Sequence, residues 1–185
     1  LHQGEFVGIN RETAREWIPS DSLFAMLVTA WAQRGVDVET RLEGFVGGSP
    51  PFRLTSAFPR AGEVRFYPAP QRWASNVVEA KDSNGNTLGK TLKKMRWISQ
   101  GVFDLLKEGK ELPMKSENFL HGKTTWWTNE EFGKASHLLE VNEDGAAGFW
   151  SAQVVPHVTV DRASNTSNLF HTGRVIFAKE CGLWF

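Results

Sequence analysis

Near its end the chain reads VPHVTVDRASNTSNLFHTGRVIF, from Val155 to Phe177. Apolar residues recur at every second position on both sides of the polar segment DRASNTSN, a pattern typical of two strands and a connecting loop. Tight hairpin turns usually carry Asn-Gly or Asp-Gly, whereas this connection is longer and has neither glycine nor proline. The stretch therefore predicts a long β-hairpin. Its tip is either an ordinary surface loop or a polar finger that contacts something outside the domain.

The bulk composition is that of a globular domain. The chain has 185 residues, with 41% hydrophobic and 23% charged residues, which is enough for one domain with a proper core. No apolar run is long enough to cross a bilayer, and no signal-peptide pattern opens the chain. A single cysteine, Cys181, excludes an internal disulfide framework and C-x-x-C zinc sites. We expect a reduced, cytoplasmic protein without a membrane partner.

Charge is balanced overall but separated along the chain. The 21 basic and 21 acidic residues give a net charge of zero, which counts against a free-standing nucleic-acid binder. Residues 50–75, however, contain four arginines and one acid, and residues 88–98 contain four basic residues and no acid. This separation predicts two faces with different partners.

The order of the predicted elements indicates an α+β fold. A short strand is expected over residues 1–9, and residues 52–59 and 63–70 have β-type patterns. One helix is predicted after Ser20 or Asp21 as N-cap and ends near Gly35. A second is predicted in SQGVFDLLKEG, where Ile98 would share its apolar face and Gly109 would end it. Residues 110–148 look polar and irregular apart from Trp126-Trp127, a pair more typical of local packing or a partner contact than of a base platform.

No catalytic pattern is present. The histidines lack metal-ligand spacing, and neither a phosphate-binding loop nor a G-x-S-x-G elbow occurs. Cys181 lies in an apolar segment, where a buried, inert thiol is expected. His2, His157 and His171 offer a possible acid/base pair for RNA cleavage, although a strand histidine is more often structural. We expect no enzymatic activity, no metal and no cofactor.

Basic residues alternate with aromatic ones in FRLTSAFPRAGEVRFYPAP, residues 52–70. Guanidinium groups bind phosphates and aromatic rings stack on unpaired bases, so the stretch is a candidate for single-stranded RNA binding. The alternative, which composition alone slightly favours, is that the aromatics are core and the arginines are solvated. The segment KTLKKMR similarly predicts either a phosphate-tracking strip or a solvated face.

Four blocks, in this order, resemble a known family. They are SDSLFAML (20–27), PPFRLTSAFPRAGEVRFYPAP (50–70), KTLKKMRWIS (90–99) and VPHVTVDRASNTSNLFHTGRVIFAKECGLWF (155–185). They resemble the S-D-(S/T)-L-F, P-F-x-(L/I)-S-S-A-F-P, K-K-(I/L)-x-(W/F)-(I/L)-S and D-R…G-L-(W/Y)-F segments of RAMP-superfamily subunits in type III CRISPR effector complexes. The closest resemblance is to the Csm (type III-A) subunit that binds the 5′ handle of CRISPR RNA.

The resemblance implies a ferredoxin-like (RRM-like) RAMP domain over residues 1–185. It would have a helical insertion at about 72–150 and a long β-hairpin thumb at 154–177. The family's second RAMP domain follows its G-L-(W/Y)-F segment, and by this resemblance we expect it to be absent from this chain. The implied role is non-catalytic: binding the 5′ handle, anchoring the large polymerase/cyclase-like subunit beside a RAMP backbone subunit, and kinking the guide–target RNA duplex with the thumb.

The resemblance also implies RNA contacts at named positions. Those in the S-A-F-P block are Arg53, Ser56, Phe58 and Arg60, and those on the thumb are His157, Arg162, Ser167, Asn168 and Phe170. The basic strip adds Lys93, Lys94 and Arg96, while Asp161 is expected to shape the thumb loop, because a carboxylate repels phosphate.

Three alternatives stay open. The chain is the equivalent subunit of a type III-B or III-D complex, or a RAMP endoribonuclease that processes CRISPR repeat RNA with a histidine such as His2 or His157. The third alternative is a protein-only adaptor whose basic strips face an acidic neighbour.

Overall fold

The computed structural model describes residues 4–8, 11–81, 85, 87–141, 145–161 and 166–185. Strands and helices are interspersed along the chain, which confirms the α+β prediction. The α-helices are α1 (Ser20–Gln33), α2 (Val38–Val46), α3 (Ser75–Glu79), α4 (Gly89–Leu92), α5 (Gln100–Glu108) and α6 (Asn129–Ala135). The strands are β1 (Gly4–Gly8), β2 (Arg11–Ala14), β3 (Phe58–Ala61), β4 (Val64–Pro68), β5 (Trp97–Ser99), β6 (Phe119–Leu120), β7 (Thr125–Trp126), β8 (Glu140–Val141), β9 (Ala147–Gly148), β10 (Trp150–Asp161), β11 (Thr166–Phe177) and β12 (Cys181–Trp184).

A mixed sheet with the order β12–β3–β4–β5–β7–β6 forms the centre of the domain. Its neighbours are antiparallel except for the parallel pair β5–β7. The strands β5, β6 and β7 come from the 72–150 stretch. Residues of that stretch therefore belong to the central sheet as well as to helices.

Each face of this sheet carries its own hydrophobic core. Successive side chains of an extended strand point to opposite faces, so Trp97 and Ile98 belong to different clusters. For the same reason Trp126 packs with Ile98 on one face and Trp127 packs with Phe66 on the other, and both tryptophans are fully buried. The prediction that the tryptophan pair serves local packing is confirmed.

A second sheet has the order β1–β2–β11–β10. Strands β10 and β11 pair antiparallel without interruption from Trp150–Phe177 to Asp161–Thr166, and β2 adds to β11 in parallel at His171–Arg11. At about 3.3 Å per residue, arms of 12 residues span about 40 Å. The long β-hairpin predicted from the alternating pattern is confirmed.

The first helix is where the apolar periodicity places it, but its predicted N-cap is wrong. Helix α1 already includes Ser20, and Pro19 precedes it without a side-chain cap. The Ser20 N–H donates instead to Ser56 Oγ at 3.1 Å, and the Asp21 side chain accepts from the Ser22 N–H. The cap comes from a distant segment, which local sequence does not reveal.

The ends of the predicted helices are confirmed at both glycines. Gly35 has φ +70° and follows α1. Its N–H donates to Ala32 O while Val36 N–H donates to Trp31 O, the paired hydrogen bonds of a Schellman motif. Gly109, with φ +65°, ends α5 in the same left-handed conformation.

At the start of α5 one predicted boundary is wrong. Ser99 is the N-cap and accepts from the Val102 N–H at 3.2 Å. Ile98, predicted on the helix face, lies in β5, because the chain leaves the sheet directly into the helix. Val102 is fully buried, as predicted for that face.

Several elements differ from the sequence prediction. The polar stretch before Pro19 contains β2, and helix α2 follows Asp37, whose side chain accepts from Thr40 N–H at 3.3 Å. The 110–148 stretch, predicted irregular, contains short strands and α6. Helix α6 begins with a capping box between Thr128 and Glu131, a T-x-x-E pattern that is readable from the sequence. No helix in the described ranges has the length and apolarity needed to span a membrane.

Candidate nucleic-acid interface

The hairpin β10–β11 presents two chemically different faces. Because side chains alternate across a strand, Val154, Val158 and Val160 share a face with Leu169 of the partner strand. These four side chains are 53–62% exposed, so the outer part of this face is apolar and open. Ser167, a predicted RNA contact, is exposed on the same face opposite Val160.

The opposite face of the hairpin is aromatic and polar. The rings of His157 and Phe170 face each other across the two strands, with centroids 5.3 Å apart and an angle of 16° between planes. Closer to the domain, Arg174 donates from Nε and Nη2 to Gln153 Oε1 at 3.3 and 3.0 Å. The structure thus brings together His157 and Phe170, two residues predicted separately.

Three thumb residues have a limited structural description. Arg162 lies outside the described residues. Asp161 and Asn168 occupy positions at the outer ends of β10 and β11, opposite Thr166 and Thr159 respectively. Their predicted roles stay predictions.

The four predicted contacts of the S-A-F-P block lie in different environments. Arg53 is exposed. The Ser56 hydroxyl already accepts a hydrogen bond from the Ser20 N–H at the start of α1. Phe58 is half-buried, with its ring centroid 5.9 Å from that of Trp97 and 6.0 Å from that of Trp184. Arg60 donates from Nη1 to Gly62 O at 2.8 Å. Of the four, Arg53 is the side chain most open to a phosphate.

The basic strip is divided by the fold. Lys93 and Lys94 are exposed, and Lys93 lines a groove of about 790 Å³ together with Lys90 and Trp73. Arg96 faces elsewhere, with its Nη2 2.9 Å from Oε1 of Glu16, a carboxylate with a side-chain exposure of 6%. Glu16 also accepts from Trp97 Nε1 at 2.7 Å. The strip predicted as one surface therefore consists of a lysine groove and a structural ion pair.

An arginine–aromatic cluster near the sheet edge was missed by the sequence analysis. The Arg65 guanidinium lies 5.4 Å from the ring centroid of Trp184. Tyr67 contacts Trp184 edge-on at 5.0 Å and stacks on Phe103 at 5.6 Å. The alternation of arginine and aromatics in residues 52–70 was a signal for Arg65 and Tyr67, but nothing in the sequence joins them to Trp184.

The titratable groups show no assembled catalytic centre in the part of the chain that the structure describes. His157 and His171 are in adjacent register positions and therefore project from opposite faces of the hairpin, while His2 lies outside the described residues. No group of three or more metal-ligand side chains occurs among the described residues. Burial raises the pKa of the Cys181 thiol, which disfavours its thiolate, although the side chain is half-buried rather than buried as predicted.

Comparison with known proteins gives structural neighbours only. No protein-family model matches the sequence, and no curated protein matches it. A crystal structure of a Csm1–Csm4 cassette in complex with cA4 contains a chain with 19% identity and a TM-score of 0.53, and the similarity covers 98% of this chain and 55% of that one. A crystal structure of a Csm3–Csm4 subcomplex of the type III-A CRISPR–Cas interference complex gives 14% identity and a TM-score of 0.59, with 95% and 53% covered.

These similarities concern the fold. The chain spans about half the length of the two similar chains. At these identities the shared feature is the architecture, and the fold that the four motif blocks implied is confirmed as one found in type III-A Csm subcomplexes.

Proposed function

We propose that this chain is a non-catalytic component of a type III-A CRISPR RNA-guided interference complex, assembled in the cytoplasm, and that it binds the 5′ handle of the CRISPR RNA. The observation that carries the proposal is the long hairpin, whose two strands have 12 residues each, together with a fold that resembles chains of Csm subcomplexes. Exposed Arg53, Lys93 and Lys94 supply positive charge on the body of the domain. Neutral net charge suits a protein that binds RNA inside an assembly rather than alone.

The finer roles in the proposal are argued from the hairpin and from the structural neighbours. The open apolar face, with Val158 and Leu169, suits a wedge that separates base pairs at the handle-proximal end of the guide–target duplex. In the proposed complex the body of the domain anchors the large polymerase/cyclase-like subunit and abuts a RAMP backbone subunit. Fold similarity supports protein partners of this kind, since both neighbouring structures are subcomplexes.

Replacing Arg53 and Arg60 by alanine is expected to weaken retention of handle RNA by the reconstituted complex. Each lost phosphate contact lowers the slope of log K against log[salt] by about 0.7–0.9. The measurement is fluorescence anisotropy of labelled handle RNA at several salt concentrations. Arg41→Ala on α2, an exposed arginine outside the predicted surface, is the matched control. Equal affinities and slopes for both variants would remove these two arginines from the proposed interface.

Replacing Val158 and Leu169 together by aspartate is expected to abolish kinking without unfolding the domain. Both side chains are more than half exposed, so their loss costs little packing, whereas two carboxylates on this face repel the phosphate backbone and cannot replace stacking. The readout is the fluorescence of 2-aminopurine at the handle-proximal position of the target, which rises when the base unstacks. Thr159→Asp, on the opposite face of β10, is the control. Unchanged unstacking in the double variant would exclude this face as the wedge.

The endoribonuclease alternative has a direct test. Incubating the purified chain with repeat RNA in the presence of EDTA is expected to leave the RNA intact. Metal-independent cleavage that is lost in His157→Ala would replace the proposed function by the enzymatic one. Co-purification with type III-B or III-D subunits would reassign the subtype.

A further inference from the structure

A cavity of about 530 Å³ lies where the hairpin leaves the domain. Its wall is formed by the turn between β6 and β7, the β8–β9 hairpin, the first residues of β10 and one side chain ahead of β5. The volume is within the range of small-molecule sites, about 300–1,000 Å³. The side chains used below are Arg96, His121, Glu140, Trp150 and Ala152.

Two of the lining side chains, His121 and Trp150, form an aromatic pair. The imidazole of His121 stacks on the indole of Trp150, with centroids 3.5 Å apart and an angle of 16° between planes. The ring Nε2 of His121 accepts from the backbone N–H of Phe149 at 3.1 Å. The backbone N–H of His121 donates to the backbone oxygen of Ala147 at 2.8 Å. A Cβ on Gly148 would lie 2.2 Å from His121 Cε1, so the ring occupies space that a glycine leaves open.

The turn that carries His121 is conformationally strained. His121, Gly122 and Lys123 have φ values of +49°, +65° and +69°, and a side chain in this region is unfavourable for residues other than glycine. The turn is fixed at its far end, where Thr124 O accepts from the N–H groups of Arg96 and Trp97 at 2.8 and 3.1 Å. Strain held by several hydrogen bonds is typical of a binding site that is formed before its ligand arrives.

The polar groups of the wall have opposite charges. Arg96 is oriented by its ion pair with the buried Glu16, and a guanidinium carries five N–H donors in a fixed plane. Glu140, from β8, adds an exposed carboxylate acceptor. A carboxylate disfavours a bare phosphate, so the complementary ligand is a planar group that carries both donors and acceptors.

The cavity also runs along a strand edge. β10 is the terminal strand of its sheet in the described chain, and residues 151–153, which alternate between its two faces, all line the cavity. An edge strand turns backbone N–H and C=O groups outward. Pro156 interrupts the row of N–H donors further along β10, which disfavours pairing with a whole peptide strand and favours a short ligand.

From these observations we propose that the cavity binds a single unstacked RNA nucleobase bearing an exocyclic amino group. Its ring would pack on the His121–Trp150 pair and its amino group would donate to Glu140. This inference rests on the proposed RNA-binding function, and it adds a base-reading site at the root of the hairpin. RNA-binding proteins read unpaired bases by this combination of aromatic packing and hydrogen bonds to the base edge.

Saturation-transfer NMR on the purified chain tests the site with GMP, AMP, CMP and UMP, and with ribose 5-phosphate as the ligand that lacks a base. Saturation of base protons is expected for the amino-bearing nucleotides, with weaker binding of UMP and none of ribose 5-phosphate. Ala152→Phe, at an exposed position on the cavity wall, is expected to weaken binding about tenfold or more, within the range of one lost base-stacking contact. Glu140→Ala, which removes the acceptor oxygens altogether, is expected to abolish the preference over UMP.

The matched control is Thr159→Phe, which adds the same ring at an exposed position of β10 away from the cavity and is expected to bind like the unmodified chain. Absence of base saturation, or equal binding by Ala152→Phe and Thr159→Phe, would overturn the site. Equal binding of UMP and CMP would overturn the role of Glu140. Handle retention by the complex with no mononucleotide binding would refute this inference alone, whereas mononucleotide binding without handle retention would refute the proposed function alone.

Discussion

Replacing Glu131 by alanine is expected to lower the free energy of unfolding by about 3 kcal/mol or more, since hydrogen bonds to charged groups are worth about 1.5–3 kcal/mol each. The carboxylate accepts four hydrogen bonds. Ser99 Oγ donates at 2.5 Å, Gly101 N–H at 2.9 Å, and Thr128 N–H and Oγ1 at 2.9 Å each. One side chain therefore serves the first turns of both α5 and α6.

The Glu131 carboxylate lies tightly against the first turn of α5. A Cβ on Gly101 would lie 2.9 Å from Glu131 Oε2 and 2.8 Å from Thr128 Cγ2, so the carboxylate fills the space beside the glycine. Removing it leaves the part-buried N–H groups of Gly101 and Thr128 and the hydroxyl of the buried Ser99 without this acceptor, and an unsatisfied buried donor is costly.

Urea unfolding followed by tryptophan fluorescence measures the change. Glu130→Ala is the matched control, because Glu130 is the preceding residue of α6 but is 78% exposed and pairs with Lys134 at the surface. A far smaller shift of the midpoint is expected for it. Similar midpoints for Glu130→Ala and Glu131→Ala would show that the shared carboxylate does not join the two helices.

The parts of the fold that could be predicted are those specified by local pattern. The hairpin follows from alternation over β10 and β11, because a half-exposed two-stranded ribbon shows its period directly in the sequence. Helix α5 follows from its apolar period and from Gly109, which ends it, although the same period wrongly included Ile98 of β5. The capping box of α6 was equally readable and was missed because residues 110–148 show no extended apolar period.

The short strands could not be predicted in the same way. Strands β6, β7, β8 and β9 have two residues each, too few to show a period of two. They exist because neighbouring strands of the same chain supply hydrogen-bond partners, and β5 and β7 pair in parallel through a connection that only the tertiary fold provides. Tertiary contacts also decide the roles of residues in the aromatic stretch 52–70. Phe66 packs in the core, whereas Arg65 contacts Trp184, which is distant in sequence.

At the candidate interface, too, local sequence does not predict which residues share a surface. Lys93, Lys94 and Arg96 are adjacent in sequence, and a run of positive charge predicts one surface. Between Lys94 and Arg96 lies Met95, which is 8% exposed and anchors the chain in the core. Because Met95 is buried between them, Arg96 is separated from the lysines and forms its ion pair with Glu16. Sequence reasoning did not anticipate a partner so distant in the chain, and the buried carboxylate is the reason for the position of the arginine.

Replacing Arg96 by alanine is therefore expected to destabilise the domain by about 3 kcal/mol, the lower end of the cost of breaking a buried ion pair, because the guanidinium side is half exposed. Glu16 would keep its hydrogen bond from Trp97 Nε1 at 2.7 Å but would remain a buried charge without a counter-ion. A loss of RNA binding in this variant would report unfolding as much as a missing contact.

Adding Glu16→Gln to Arg96→Ala separates the two roles. The glutamine amide is uncharged and keeps an oxygen to accept from the Trp97 indole, so the double variant is expected to recover most of the lost stability. Urea midpoints of the two single variants, the double variant and Lys94→Ala, an exposed neighbour, complete the thermodynamic cycle. If the double variant is as unstable as Arg96→Ala, the buried charge is not the cause. If the double variant is stable but no longer binds nucleotides in the cavity, Arg96 contacts the ligand directly. In a correctly folded domain the missing guanidinium contact would be the remaining difference.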